Sequence, residues 1–218
     1  MNLSTNEENY LKSIYLLSKE GNQPVSTNTI ADHLKVKPAS ITDMMKRLSQ
    51  KELVHYEKYK GASLTKEGYN IAVLIIRKHR LWETFLFEKL RFSWDKVHEI
   101  AEQLEHIQSV ELVNRLDDYL GNPKVDPHGD AIPNSNGEFL TSRSNLLSDI
   151  KIHTPTKVIG VNDSSEIFLR YLTKLDISLG TPIEVIDFFE FDKSLEIKIN
   201  DGSKKMISSD VAENILVE

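Results

Sequence analysis

The apolar residues near the start of the chain recur at helical spacing and then switch to strand alternation. Tyr10, Leu11, Ile14, Tyr15 and Leu17 predict a first helix over Asn9 to Lys19, stopped by Gly21 and Pro24. A short helix follows over Ser26 to Leu34, opening on a serine or threonine cap. After the turn Lys35-Val36-Lys37, Pro38 sits where a first helical turn tolerates it, and a third helix runs from Ala39 to Gln50. Ile41, Met44, Met45 and Leu48 face inward on that helix, while Ser40, Thr42, Asp43, Lys46 and Arg47 face out, which is helix-turn-helix organisation. Leu53 to Glu57 and Ala62 to Thr65 then alternate as a hairpin around the tip Lys58-Tyr59-Lys60-Gly61, as in a winged helix.

A second pattern lies within the next helical stretch. His79 and Glu83 are spaced i to i+4, and His98, Glu102, Glu105 and His106 fall within an arc of roughly 100° on one side of a helix at about 100° per residue. Ile100, Ala101, Leu104 and Ile107 point elsewhere, so one stripe serves a core and the other is offered to an ion. Two helices with Glu/His pairs at ligand spacing, joined by the short turn Arg91-Phe92-Ser93-Trp94, predict a metal site. Residues 121 to 153, rich in Pro, Gly, Asn and Ser, read as a tether. Beyond them Leu169 to Leu175 gives a short helix, Ile183 to Ile186 and Leu195 to Ile199 read as strands, and Asn200-Asp201-Gly202 as a turn, so a small β-rich module closes the chain.

Composition narrows the chemistry. The 218 residues are 39% hydrophobic, enough for a core and a smaller companion. The chain has no cysteine, which excludes disulfides, thiolate zinc sites and iron–sulfur clusters and leaves imidazole and oxygen as ligands. The polar start carries no signal peptide, and the longest fully apolar run, Ile71 to Ile76, is too short to span a bilayer, so a cytoplasmic protein without membrane contact is expected. The net charge of −6 argues against nucleic acid, but from Lys35 to Lys66 eight basic residues face three acids, a local +5 on the helix-turn-helix and wing.

The run Arg77-Lys78-His79-Arg80-Leu81 with Glu83, then His98, Glu102 and Leu104-Glu105-His106, then Gly121-Asn122-Pro123-Lys124 and Pro127-His128-Gly129-Asp130-Ala131-Ile132-Pro133, resembles the diphtheria-toxin-repressor and manganese-transport-regulator family of bacterial metalloregulators, in its three-domain form. The resemblance covers essentially the full chain. It implies a mainly α N-terminal part, with a winged helix-turn-helix at 1–75 and a helical metal-binding and dimerisation domain at 76–140. A linker at 141–154 and a small all-β SH3-like, FeoA-like domain at 155–218 complete the expected fold. The implied function is that of a homodimeric repressor, not an enzyme, which binds double-stranded operator DNA when loaded with divalent metal and controls metal uptake.

Carried over residue by residue, the resemblance implies a primary site of Glu102, Glu105, His106 and Asn9, with Glu8 as a neighbouring substitute, since Asn9 stands where the family has Asp or Met. It implies a second site of His79, Glu83 and His128 with His98 nearby, Asp163 reaching in, and Asp126 at a cysteine position of the family. Hard oxygen ligands suit Mn²⁺, with Fe²⁺ as the alternative. Ser40, Thr42, Lys46 and Arg47 are expected at bases or phosphates, and Lys37, Lys58 and Lys60 at phosphates. A metallohydrolase would use the same ligands, but no separate general base stands out and the helix-turn-helix would go unexplained. A regulator of small organic ligands would have no use for the ligand run.

Overall fold

The computed structural model describes residues 3–18, 23–139, 144–200 and 202–218. The expected stop at Gly21 and the Asp201 turn position lie outside those residues. The chain divides into two compact units, one of Met1–His79, Gln103–Glu111 and Pro133–Glu138, the other of Arg80–Glu102, Leu112–Ile132 and Phe139–Glu218.

The first unit opens with helix α1 (Thr5–Leu17), earlier than its apolar spacing suggests. Ser4 caps it: its hydroxyl accepts from the Glu7 backbone N–H, and the Glu7 carboxylate accepts from the Ser4 N–H, a reciprocal capping box. Helix α2 (Thr27–Leu34) is capped by Ser26, and left-handed Lys35 (φ 54°) ends it. The turn delivers the chain to α3 (Pro38–Gln50), with proline in its first turn. Strands β1 (Val54–Glu57) and β2 (Gly61–Leu64) pair antiparallel as the wing. Leu11, Ile14, Ile30, Ile41, Met45, Leu48 and Leu53 are fully buried, so the helix-turn-helix rests on one apolar core. Helix α4 (Lys66–Glu88) starts in this unit.

The second unit holds the end of α4, most of α5 (Val97–Leu104) and α6 (Val110–Tyr119), and a six-stranded sheet. Leu81, Val113, Leu116 and Ile132 form a small helical core with Trp82, Phe85 and Leu120. The strands are β3 (Asn145–Leu146), β4 (Pro155–Val161), β5 (Pro182–Phe188), β6 (Leu195–Ile199), β7 (Ser203–Ile207) and β8 (Ile215–Val217), in the order β3-β8-β4-β5-β6-β7 with antiparallel pairings. Helices α7 (Glu166–Lys174) and α8 (Ser209–Ala212) complete the module. Trp94, from the loop before α5, is buried in its core, and the indole N–H donates to Thr173 Oγ1 at 2.9 Å.

Two expectations need correction. The linker expected at 141–154 contains β3 and a 3₁₀ turn (Leu147–Asp149), because Leu147 is fully buried in the core and Asn145 and Leu146 pair with β8. Helix α5 ends at Leu104, so Glu105 and His106 leave the face they were expected to share with His98 and Glu102. Among the described residues, no helix is long and apolar enough to cross a membrane.

Candidate metal centres and nucleic-acid face

In the first unit, α1 faces the segment that follows α5. Glu105 is fully buried, and its carboxylate accepts from the Lys12 ammonium, 2.8 Å from both oxygens, and pairs with His79 Nδ1 at 2.6 Å. Burial alone would push this carboxyl up, but the His79 hydrogen bond and the charges of Lys12 and His79 outweigh it and hold the carboxyl below its ordinary value. Beside it, His106 Nδ1 stands 2.5 Å from Glu8 Oε2 and its Nε2 3.7 Å from Glu105 Oε1, while the Gln108 amide donates to Glu8 Oε1 at 2.8 Å. Two carboxylates and two imidazoles therefore lie around the junction of α1 with residues 105–108. Asn9, expected as the ligand from α1, is half-buried and its backbone carbonyl accepts the Ser13 hydroxyl; the α1 carboxylate that reaches His106 is Glu8.

In the second unit, Glu83, Asp126 and His128 are buried, with one potential ligand atom from each lying within 4.8 Å of the others. The loop is shaped by Asp126, whose Oδ1 accepts from the backbone N–H groups of His128 (2.8 Å) and Asp130 (3.0 Å). Its Oδ2 is buried without a hydrogen-bond partner, the nearest described cation being Arg80, whose Nε is 3.7 Å away. Burial, with the charges of Glu83 and Asp130, pushes the Asp126 carboxyl up to about 8. His128 Nε2 donates to the Trp94 carbonyl at 2.8 Å, which turns Nδ1 toward the carboxylates, 3.7 Å from Glu83 Oε2. Burial opposes charge on His128, yet the facing Glu83 carboxylate and the charge of Asp126 raise it to about 9. His98, half exposed, lies 3.2 Å from Glu83 and 3.5 Å from Glu102; hydrogen bonds to Glu102 and Glu83 raise it to about 9.

Asp163 departs from expectation: its Oδ1 accepts the Ser165 backbone N–H at 2.8 Å and shapes the turn into α7. Glu102, expected beside Glu105, is half exposed at His98. His79 Nδ1 lies 2.6 Å from Glu105 Oε2, a contact the sequence did not predict. The composition of the Glu83, Asp126 and His128 group fits a divalent metal. Its donors are hard oxygens plus an imidazole held by a backbone carbonyl through its other nitrogen, the usual support for a ligating histidine. The unsatisfied Asp126 oxygen, costly to bury alone, is what a cation would satisfy.

The outer face of α3 exposes Ser40, Lys46 and Arg47, with Thr42 half-buried and Lys37 exposed at its start. At the wing tip Tyr59 is 93% exposed, Lys58 Nζ sits 4.9 Å from its ring centre, and Lys60 pairs with Glu57 at 2.6 Å. Sequence reasoning names Glu8 only as a substitute for Asn9, quotes Arg80 within a motif without a role, and does not name Lys12. The Ser4-x-x-Glu7 box would have started α1 early enough to place Glu8 and Lys12 one turn apart on one face.

Residues 2–62 match the iron dependent repressor N-terminal DNA binding domain, residues 65–134 the iron dependent repressor metal binding and dimerisation domain, and residues 145–218 the FeoA domain. A solved manganese-dependent transcriptional repressor in complex with manganese is 33% identical, with a TM-score of 0.82 over 97% of this chain and 98% of its own. The diphtheria toxin repressor of Corynebacterium jeikeium is 28% identical over 97% of this chain and 95% of its own length. An uncharacterized HTH-type transcriptional regulator of Methanocaldococcus jannaschii is 40% identical over 52% of this chain and 91% of its own.

Proposed function

Because the chain belongs to the diphtheria-toxin-repressor family of metal-dependent transcriptional repressors, we propose that it is a Mn²⁺-responsive repressor of metal-uptake genes. It works in the cytoplasm as a homodimer on double-stranded operator DNA and catalyses no reaction. The observation that carries the metal assignment is the oxygen-rich, thiol-free donor set, above all the buried Asp126 Oδ2, which has no hydrogen-bond partner. Hard oxygens favour Mn²⁺ at six coordination, and Fe²⁺ is the alternative.

Glu8, Glu105, His106 and His79 would hold one ion, and Glu83, Asp126, His128 and His98 a second. When bound, the metal supplies positive charge that neutralises these carboxylates and lets them stand close together. Glu8 lies on α1, which packs with α2, itself packed with α3, so drawing Glu8 toward Glu105 and His106 fixes the helix-turn-helix against residues 103–111 of the same unit. In a dimer this would set two α3 helices about one DNA turn, roughly 34 Å, apart. Arg47 then suits guanine, Ser40, Thr42 and Lys46 bases or phosphates, and Lys37, Lys58 and Lys60 phosphates.

The test is fluorescence anisotropy on operator-length DNA from a metal-importer promoter at fixed salt, with chelator-stripped protein titrated separately with Mn²⁺, anaerobic Fe²⁺ and Zn²⁺. Tight binding with Mn²⁺ favoured, and loss of the metal-dependent gain in Glu105→Ala, is the expected result. Equal binding with and without metal would overturn the proposal.

A further inference from the structure

Lys12 has no place in either ligand set, yet its ammonium is buried 2.8 Å from both oxygens of Glu105. A buried lysine is retained where it answers a buried anion, and Glu105, fully enclosed, is that anion. Lys12 is one helical turn from Glu8, so a single face of α1 presents a carboxylate to His106 and an ammonium to Glu105.

We propose that Lys12 is a tethered counter-cation of Glu105, which a divalent ion must displace to enter the α1 cluster and which thereby sets how much metal that cluster requires. This rests on the metal-responsive reading above. Without metal, the ammonium neutralises Glu105 and fastens α1 to residue 105 by an internal ion pair. A divalent ion competes for the same oxygens and repels the ammonium at short range, so the intact pair opposes loading. The side chain is long and unbranched, which lets the ammonium swing clear while its methylene stem stays packed. Lys12 is thus an affinity-setting residue that does not itself ligate.

Mn²⁺ binding to the full chain, stripped with chelator, is measured by equilibrium dialysis at fixed ionic strength for wild type, Lys12→Met, Lys12→Gln and Lys12→Arg. The series is repeated in a Glu83→Gln background to reduce binding at the second cluster, and thermal melting of each metal-free protein is recorded. Lys12→Met keeps the length and packing without the charge, and Lys12→Gln keeps a hydrogen-bond donor. Both should bind Mn²⁺ at least tenfold more tightly in either background while melting lower without metal, and Lys12→Arg should stay within about threefold of wild type. Should Lys12→Met fail to fold, Lys12→Gln alone decides by the same criterion. Affinity that is unchanged or weaker in folded neutral variants would overturn the proposal and leave Lys12 a structural ion pair. A wild-type protein that binds no Mn²⁺ would overturn the metal-responsive reading and the Lys12 proposal with it.

Discussion

Glu7 and Glu8 are neighbours on α1 with separate work. Glu7 closes the capping box with Ser4 and meets Lys51 at 2.5 Å, while Glu8 points to His106 and Gln108. Burial works to raise the Glu7 carboxyl, but the Lys51 hydrogen bond and the Ser4 N–H override it and hold it below the ordinary value. A carboxyl depressed in the folded state contributes stability that is complete above its unfolded value and is lost as pH falls through the lowered folded value. Glu7→Gln should therefore cost about 1–2 kcal/mol at neutral pH, with the difference from wild type vanishing in acid, as chemical denaturation at a series of pH values would show. At this scale the sequence named the chemistry better than the atoms. Motif and spacing mark Glu105, His106 and Glu83 as candidates, while on α1 the side chain that reaches His106 is Glu8 and not the neighbouring Asn9. Helical phase near an end depends on the cap, and apolar periodicity carries no information about the cap.

Among the elements, the loop through 126–132 is held to the sheet by backbone. The Val161 N–H donates to the His128 carbonyl at 2.9 Å, and Gly129 (φ 90°) lies so close to β4 that an added Cβ would sit 2.3 Å from Gly160 Cα and from the Ile159 carbonyl oxygen. Gly129→Ala should destabilise the second unit by about 3 kcal/mol or more, since neither contact is a flexible side-chain end and the left-handed backbone adds strain. Thermal melting should show the loss, and Mn²⁺ dialysis a weaker second cluster. Strand β6 was legible because alternate residues, Leu195, Ile197 and Ile199, are buried. The end of α5 was not. The periodicity runs through Ile107, and the departure at Glu105 is made by long-range partners, Lys12 and His79, that no local pattern contains. Strand β3 was hidden for a related reason: two residues are too few to show alternation, and their partner β8 lies some 70 residues away.

For the whole molecule, the net charge of −6 coexists with a basic helix-turn-helix and wing, so repulsion from DNA and attraction to it are divided between surfaces. Lys58 and Lys60 stand exposed at the wing tip. Replacing both with alanine should weaken DNA binding about equally for operator and unrelated sequence and flatten the slope of log affinity against log salt by about 1–2, measured by anisotropy across a salt series. The three-part organisation could be read from the switch between helical and alternating patterns. The division into compact units could not, because segments 103–111 and 133–138 join the first unit through tertiary contact alone.

The anchoring of Trp94 and His128 also bears on the order of synthesis. Both leave the ribosome before the sheet exists, yet the Trp94 core includes Ile215 and Val217, and the His128 carbonyl is bonded by β4, which pairs with β8 at Val161 and Ile215. The buried helix-turn-helix residues from Leu11 to Leu53 are made well before the supports of the Glu83, Asp126 and His128 group, and Tyr15 finds its partner Tyr69 on α4, 5.5 Å between ring centres, soon afterwards. The backbone supports of that group are thus complete only once β8 has been made.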